Sequence, residues 1–181
     1  MKKLFTILLI IIAISANSQV IIGDATGSAS DKTSVLLEFA DGQNKGIILP
    51  YVNTIPTGSA LVPGTLLLDA SDPSSASVKL YNESGWFDLS SGNQADVSNE
   101  MLIQNTAQAE KVGDKTIIGS SSSDADGILV LESTNRAMVL PIVGSTDDII
   151  NPSPGMLVYI NQEGAKRLAV FNGAVWTYWK K

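Results

Sequence analysis

The stretch PGTLLLDASDPSSASVKLYNESGWFDL, from Pro63 to Leu89, decides the predicted fold, because it returns as PGMLVYINQEGAKRLAVFNGAVWTYW from Pro154 to Trp179. Each stretch opens with Pro-Gly, forms an apolar run, crosses a polar loop and returns through a second run that ends in aromatic-Asn. A tight turn then leads to Trp86 in the first stretch and to Trp176 in the second. Asn and Gly tolerate the positive φ that hairpin turns require. The pattern therefore predicts a three-stranded antiparallel meander in each half of the chain.

The similarity between the halves continues upstream of the meanders. The matching pairs keep one order along the chain: Ile22-Gly23 with Ile118-Gly119, Leu37-Glu38 with Leu131-Glu132, and Leu49-Pro50 with Leu140-Pro141. Spacing differs only across loops rich in Ser, Asp and Gly, and loops tolerate length changes that paired strands do not. Short β-branched runs bounded by Gly, Pro, Asn and Asp are typical of all-β proteins. We therefore predict a mainly β fold of two tandem homologous modules, residues 19–90 and 116–181.

Residues 91–115 form the predicted linker between the modules. Within it, Glu100 to Lys111 is rich in good helix formers, which favours a short helix. An extra strand at Met101 to Gln104 that leads into the second module is the alternative, and the sequence leaves both open.

The first 18 residues have the three parts of a secretory signal peptide. Lys2 and Lys3 give a basic start, Leu4 to Ile14 an apolar run, and Ala16 and Ser18 the small residues before a cleavage site. The apolar run is shorter than the roughly 20 residues of a membrane span, and no Cys follows for a lipid anchor. We expect export to the cell exterior or outer cell surface, with the periplasm favoured less, and no transmembrane segment in the mature chain.

Composition excludes several kinds of chemistry. The chain has no His and no Cys, which removes Ser-His and Cys-His nucleophiles, imidazole bases and nearly every type of zinc site. The net charge of −6 becomes −8 once Lys2 and Lys3 are removed, and a negative surface repels nucleic acid. Modules this small, without disulfides or metals, supply only about 3–5 kcal/mol of stability. We therefore expect the modules to pack against each other or copies of the chain to associate.

The order of motifs resembles a known β-repeat module. Lys45-Gly46-Ile47-Ile48-Leu49-Pro50, then Pro63-Gly64, then Tyr81-Asn82 to Trp86, is similar to modules of secreted and cell-surface bacterial proteins and of phage tail-fibre-like proteins. The second half follows the same order, with Ala137 in place of Gly46. This resemblance implies a surface, fibre or adhesion component without a shared active site. It implies no catalytic residues and no cofactor.

Aromatic side chains at the ends of the modules are the candidate contact residues for a partner protein or a glycan. These residues are Tyr81, Trp86, Phe87, Trp176, Tyr178 and Trp179. Strand alternation places Trp176 and Tyr178 on one face and Thr177 and Trp179 on the other. For Trp86 and Trp176 we prefer a packing role, since equivalent positions in two copies predict one; Tyr178 and Trp179 stay open between packing and contact.

Acidic residues offer two further hypotheses. The acidic loops contain the oxygen ligands that calcium prefers but no complete calcium-binding motif, which leaves a weak Ca²⁺ site as the alternative to solvated hairpin loops. These loops are Asp24 to Asp31, Asp41, Asp69 to Asp72 and Ser120 to Asp126. Glu38 and Glu132 lie at equivalent strand ends, and a paired carboxylate role in glycoside hydrolysis is the alternative to a structural one. We favour the structural interpretation, because acids repeated once per module are typical of a turn formed twice.

Together these observations predict a non-catalytic structural or adhesive protein, a subunit of an outer-surface assembly that acts through protein–protein contacts. Its expected partners are other surface or outer-membrane proteins or further copies of itself. The alternative function is an extracellular carbohydrate-binding module that uses the exposed aromatics.

Overall fold

The computed structural model describes residues 19–59, 61–104 and 114–180. The predicted signal peptide, residues 1–18, lies outside the described residues, as do residues 105–111 of the predicted helix. The described chain is mainly β and reads as a β-solenoid of about 8 turns with one short helix.

The strands are short in both halves. Those of the first half are β1 (Val20–Ile22), β2 (Val35–Phe39), β3 (Ile47–Ile48), β4 (Tyr51–Val52), β5 (Leu66–Asp69), β6 (Ser77–Tyr81) and β7 (Trp86–Asp88). Helix α1 (Ser98–Met101) follows. Those of the second half are β8 (Thr116–Ile118), β9 (Leu129–Leu131), β10 (Ala137–Met138), β11 (Ile142–Val143), β12 (Met156–Ile160), β13 (Arg167–Phe171) and β14 (Trp176–Trp179). Short 3-10 helices at Pro73–Ser75 and Thr146–Asp148 are capped by Asp72 and Ser145.

Two antiparallel meanders are present, β5-β6-β7 and β12-β13-β14. Each first strand also carries a short parallel strand on its other edge, β4 on β5 and β11 on β12. Both meanders begin at a Pro-Gly turn, with φ of 93° at Gly64 and 75° at Gly155. A positive φ at the third turn position is strained for any residue with a Cβ, which explains why the sequence has Gly there.

Upstream of each meander lies a parallel pair, β1-β2 in the first half and β8-β9 in the second. Ile22 pairs with Phe39, whereas Ile118 pairs with Leu131. Leu131 aligns with Leu37 in the sequence, but in the strand pairing it takes the place of Phe39, two residues further along. A two-residue shift keeps each side chain on its own face of the strand, so the apolar pattern is preserved.

Two strands pair with the opposite half of the chain. The structure therefore does not clearly divide into two tandem modules, which corrects that expectation. Strand β3 pairs antiparallel with β12 of the second half, and β10 pairs parallel with β2 of the first. The β3-β12 contact is close: a Cβ on Gly46 would lie 2.4 Å from Cγ of Met156 and 2.9 Å from the Leu157 carbonyl oxygen. Only Gly fits this approach without a shift of one strand.

The larger core is shared by both halves. Leu49, Leu68 and Val78 of the first half lie in one buried cluster with Leu157 and Val170 of the second. A smaller cluster around Val158 and Ile160 belongs to the second half and is covered by Phe171 and Trp176. Because burial of one half depends on the other, the expected mutual packing of the halves is observed within the chain.

Of the two alternatives that the sequence left open between the halves, the described residues show a short helix. Helix α1 begins at Ser98, two residues before the predicted start, and ends at Met101, followed by hydrogen-bonded turns to Gln104. Met101 belongs to α1 and Leu102 to Gln104 to turns and bends, so no extra strand forms there. The N–H groups of Met101 and Gln104 are satisfied locally, by Val97 and Met101.

Candidate interaction surfaces

Each meander carries one aromatic pair across its last two strands. The rings of Tyr81 and Trp86 have centroids 5.4 Å apart, and those of Phe171 and Trp176 are 5.2 Å apart. Both pairs are direct cross-strand neighbours in the ladder. Tilted aromatic pairs at this distance stabilise a sheet beyond their buried area. Trp86 and Trp176 are both only half-buried, and Trp176 covers the smaller core.

The last strand is fixed to the end of the first meander. The hydroxyl of Thr177 and the indole N–H of Trp179 both donate to the Leu89 carbonyl, at 2.6 and 2.9 Å. The ring of Trp179 also meets Phe87 edge-on, with centroids 5.4 Å apart. Trp179 therefore joins the two halves through both a hydrogen bond and a ring contact.

Tyr178 lies on the opposite face of β14 from Trp179, as strand alternation requires. Its ring is 43 % exposed and has the guanidinium carbon of Arg167 4.2 Å from its centroid. Its hydroxyl lies 3.0 Å from the hydroxyl of Thr146. Phe87, also 43 % exposed, is on the other side of this strand. The structure thus brings Phe87 and Trp179 together but places Tyr178 elsewhere, and it does not form one continuous aromatic platform from the six candidates.

The acidic loops use their carboxylates to hold their own backbone. Asp24 accepts from the N–H groups of Thr26 and Gly27, and Asp72 accepts from Ser74. Hydrogen bonds from the Ser74 and Ser75 side chains lower the pKa of Asp72. Within the described ranges, no group of three or more acidic side chains is arranged to hold a metal ion. Local turn formation accounts for these carboxylates without a ligand.

The carboxylate of Asp69 forms an ion pair with Lys79 and also accepts a hydrogen bond from Ser71 in its own loop. Burial disfavours its charged form, but the ammonium of Lys79, 2.6 Å away, and the hydroxyl of Ser71 outweigh that cost. The pKa of Asp69 therefore lies below its ordinary value of 3.8. This pair ties β5 to β6 in the first meander.

Glu38 and Glu132 have different surroundings. The side chain of Glu38 is fully buried, accepts from the ammonium of Lys32 and from the Ala29 amide at 2.9 Å, and touches no solvent. Burial opposes its ionisation, yet these donors outweigh it and the pKa of Glu38 is lowered. Glu132 accepts instead from the Ser123 hydroxyl. It lines a cavity of about 480 Å³ with Arg136, and Glu38 is not part of that lining. A two-carboxylate catalytic site does not form there.

Two regions of the sheets leave apolar residues exposed at strand edges. On β3, Ile48 is 51 % exposed. Beside β9, Ile128 is 64 % and Leu129 48 % exposed. β9 pairs only with β8 among the described strands, and β3 only with β12. Sequence reasoning missed these positions because it concentrated on aromatics; the apolar run Ile47-Ile48 before Pro50 was the available signal.

Comparison with known protein families gives a match in the second half of the chain. Residues 117–181 match the family described as "Phage tail like trimerisation region". The match covers about a third of the chain and contains β9 to β14. Comparison with curated proteins and with solved structures gives no match.

The trimerisation-like region carries no spanning helix. Across the described residues, no helix is long and apolar enough to cross a membrane. The longest elements of residues 117–181 are the strands β12 and β13, which have five residues each. What this region offers to a partner is therefore strand edges and the side chains beside them.

Proposed function

We propose that this chain is a structural, non-catalytic protein that associates with copies of itself into a trimer. The observation that carries the proposal is the match of residues 117–181 to a phage tail-like trimerisation region. The β-solenoid character of the chain agrees with it, because stacked repeats present extended surfaces to binding partners.

The two halves are, in this proposal, diverged copies of one β module. Support comes from the shared strand order, parallel pair then meander, and from the cross-strand aromatic pair at the same place in each meander. Hydrogen bonding agrees in detail: the N–H of Gly64 donates to Tyr81, and the N–H of Gly155 donates to Phe171, both at 2.8 Å.

Export belongs to the same proposal. The support is the tripartite pattern of residues 1–18 in the sequence. The trimer then serves as a subunit of an assembly at the cell exterior, where it holds surface proteins in place. Mass spectrometry of the protein isolated from its native source tests this part: a chain that begins at Gln19 is expected, and an intact Met1 in the isolated protein would overturn it.

Light scattering after size-exclusion chromatography tests the association. The expected mass is three times that of one processed chain over a dilution series. A mass equal to one chain at every concentration would overturn the proposed function.

A further inference from the structure

β3 and β10 each pair with the opposite half of the chain, and they do so through different edges. The sequence aligns Leu49-Pro50 with Leu140-Pro141, so β3 in the first half corresponds to β10 with Val139 in the second. In the first half, the Leu49 N–H donates to the Gly155 carbonyl of the second meander, at 3.1 Å. In the second half, the Val139 N–H donates to the Leu37 carbonyl on β2, at 2.8 Å.

These two bonds point to opposite sides of equivalent strands. Successive N–H groups of a strand point to alternate edges. Leu49 corresponds to Leu140, the neighbour of Val139, so the edge that β3 uses is the edge on which β10 has no strand partner among the described residues. Conversely, the edge that β10 uses is open on β3. β3 and β10 thus pair through opposite edges, and among the described residues neither strand has a partner on its second edge.

The first meander lacks the cover that the second one has. In the second half, Pro154 to Leu157 is buried: β3 pairs with Met156 and Leu157, and the Tyr51 hydroxyl donates to the Pro154 carbonyl. The corresponding Pro63 and Gly64 are exposed, and Thr65 and Leu66 are only half-buried. The Gly155 carbonyl accepts from Leu49, whereas no backbone N–H of the described residues donates to the Gly64 carbonyl. An open strand edge beside apolar side chains is a template for pairing with another chain.

The parallel pairs show the same difference. β2 lies between β1 and β10, and its first four residues are buried. β9 has β8 on one side, no strand among the described residues on the other, and an exposed Leu129. Among the described strands, none lies beside the start of β5, before β4 begins to pair at Leu68, and none lies on the second edge of β9. The free edge of β10 is therefore of the kind that covers the start of a meander, as β3 covers β12. The free edge of β3 is of the kind that lies beside a parallel pair, as β10 lies beside β2.

We propose that a second copy of this chain supplies both missing strands: β10 of one copy pairs antiparallel with β5 of the next, and β3 of the next copy pairs parallel with β9 of the first. This inference rests on the proposed self-association and names its interface. The contact repeats, between chains, the exchange already seen inside the chain between β3 and β12 and between β10 and β2. Because Ala137 stands where β3 has Gly46, whose added Cβ would lie 2.9 Å from a β12 carbonyl oxygen, β10 lies slightly further from β5 than β3 lies from β12. Main-chain hydrogen bonds supply affinity and the exposed side chains Ile48 and Leu129 become buried.

Such an interface is head-to-tail, because the second half of one copy meets the first half of the next. A head-to-tail contact closes into a ring or continues as a filament. A ring of three copies pairs the open edges of β3, β5, β9 and β10 in every copy and agrees with the trimer proposed above. No copy in that ring has a β5 or β9 edge left unpaired.

The internal pairing predicts the register of the contact between copies. Ile48 lies opposite Met156, one residue beyond the hydrogen-bonded pair of Leu49 and Gly155. The equivalent pair is Val139 of one copy and Thr65 of the next. Non-hydrogen-bonded antiparallel pairs have Cα atoms about 4.5 Å apart, within the range of a disulfide. The chain has no native Cys, so an introduced pair has no competitor.

Cysteine cross-linking of the full chain tests the inference. One preparation carries Thr65→Cys and a second carries Val139→Cys; after mixing and mild oxidation, we expect disulfide-linked dimers that contain one chain of each. The matched control replaces Val139→Cys with Met138→Cys, whose side chain points to the other face, and we expect at least a tenfold lower yield. Ile48→Cys with Met156→Cys in one chain, where the pairing is internal, reports that the oxidation conditions work.

Each result decides a different claim. Trimers by light scattering that give no Thr65–Val139 cross-link, or that cross-link equally through Met138→Cys, overturn this interface and leave the proposed function standing. A single-chain mass together with no cross-link overturns both. Cross-linked filaments in place of trimers support the interface and contradict the trimer. The test also remains valid if one variant is less stable, because unfolded chains would cross-link through Met138→Cys as readily as through Val139→Cys.

Discussion

The indole nitrogen of Trp179 donates to the Leu89 carbonyl at 2.9 Å, across 90 positions of the chain. Thr177 donates to the same oxygen from the same face of the last strand. Both lone pairs of one carbonyl at the end of the first meander are thus used by the end of the second. The two halves depend on this junction as well as on the exchanged strands.

Replacing the indole at this junction should weaken the fold. Trp179→Phe keeps a ring beside Phe87 but removes the donor to Leu89. Since Thr177 still satisfies that carbonyl, we expect a loss of about 1 kcal/mol in the free energy of unfolding by urea denaturation, typical of one hydrogen bond. Trp176→Phe is the matched control, because Trp176 is also half-buried and its ring contact is with Phe171. Equal losses for the two variants would contradict a specific role for the Trp179 bond.

The close approach of β3 to β12 should make Gly46 intolerant of any side chain. A Cβ at this position would lie 2.4 Å from Met156, so Gly46→Ala forces one strand to move. Overpacking of this kind costs about 1–3 kcal/mol. Gly127→Ala is the control, because the nearest atom to its Cβ would be 3.7 Å away and its φ is not in the left-handed region. Thermal unfolding that is unchanged in Gly46→Ala would show that the two strands are not this close.

The buried Glu38 predicts a specific dependence of stability on pH. Its pKa is lowered in the folded chain, so the stability it contributes is complete above its ordinary pKa of 4.5 and is lost as the pH falls through the lowered value. Asp69 adds to this below its ordinary pKa of 3.8. We therefore expect the free energy of unfolding to fall steadily between about pH 5 and pH 3.

Removing the partner of Glu38 should reverse part of this dependence. Lys32→Met leaves a buried carboxylate with the backbone amides of Ser28 and Ala29 as its remaining donors. We expect a loss of about 2–3 kcal/mol at pH 7, below the ~3–5 kcal/mol of a fully buried pair because Lys32 is partly exposed. Burial then raises the folded pKa of Glu38, so the loss should shrink as the pH falls and the group is neutralised. Lys166→Met, at an exposed loop, is the control. A loss that is the same at pH 4 and pH 7 would argue against an ionised Glu38.

The carbohydrate-binding alternative now has a cleaner test than the sequence suggested. Trp179→Ala would remove a contact between the halves, so a loss of glycan retention there would not separate binding from folding. Tyr178→Ala acts on a half-exposed ring and is the informative variant. For a structural trimer we expect no retention on a glycan array by either the wild-type chain or Tyr178→Ala. Retention that disappears in Tyr178→Ala without a change in circular dichroism would support the alternative.

Local patterns were enough to predict the meanders and their turns. Pro63-Gly64 and Pro154-Gly155 specify turns with a positive φ, and the runs after them alternate as strands do. Asn172 illustrates the same point: its side-chain carbonyl accepts from the N–H groups of Ala174 and Val175 and closes the last hairpin. Such features depend on neighbouring residues, so a sequence displays them directly.

Pairing between distant strands could not be read in the same way. Nothing local to Ile47 and Ile48 says that they lie on β12 rather than on their own meander, because either edge satisfies the same backbone groups. Gly46 was the one indication, since it is the position where the second half has Ala137 and where β3 comes close to β12. The role of Trp179 was left open for a similar reason: alternation gives its face, and only the fold brings Leu89 to that face.

Sedimentation velocity on three chains tests the central claim, that copies associate through the open strand edges. The chains are the wild type, Ile48→Lys and Ile150→Lys; Ile48 is 51 % exposed on β3, and Ile150 is 85 % exposed in the loop before β12. We predict a three-chain species for the wild type and for Ile150→Lys, and at least a tenfold weaker association for Ile48→Lys. A wild type that sediments as a single chain, or an Ile48→Lys variant that associates as tightly as Ile150→Lys, would contradict the account.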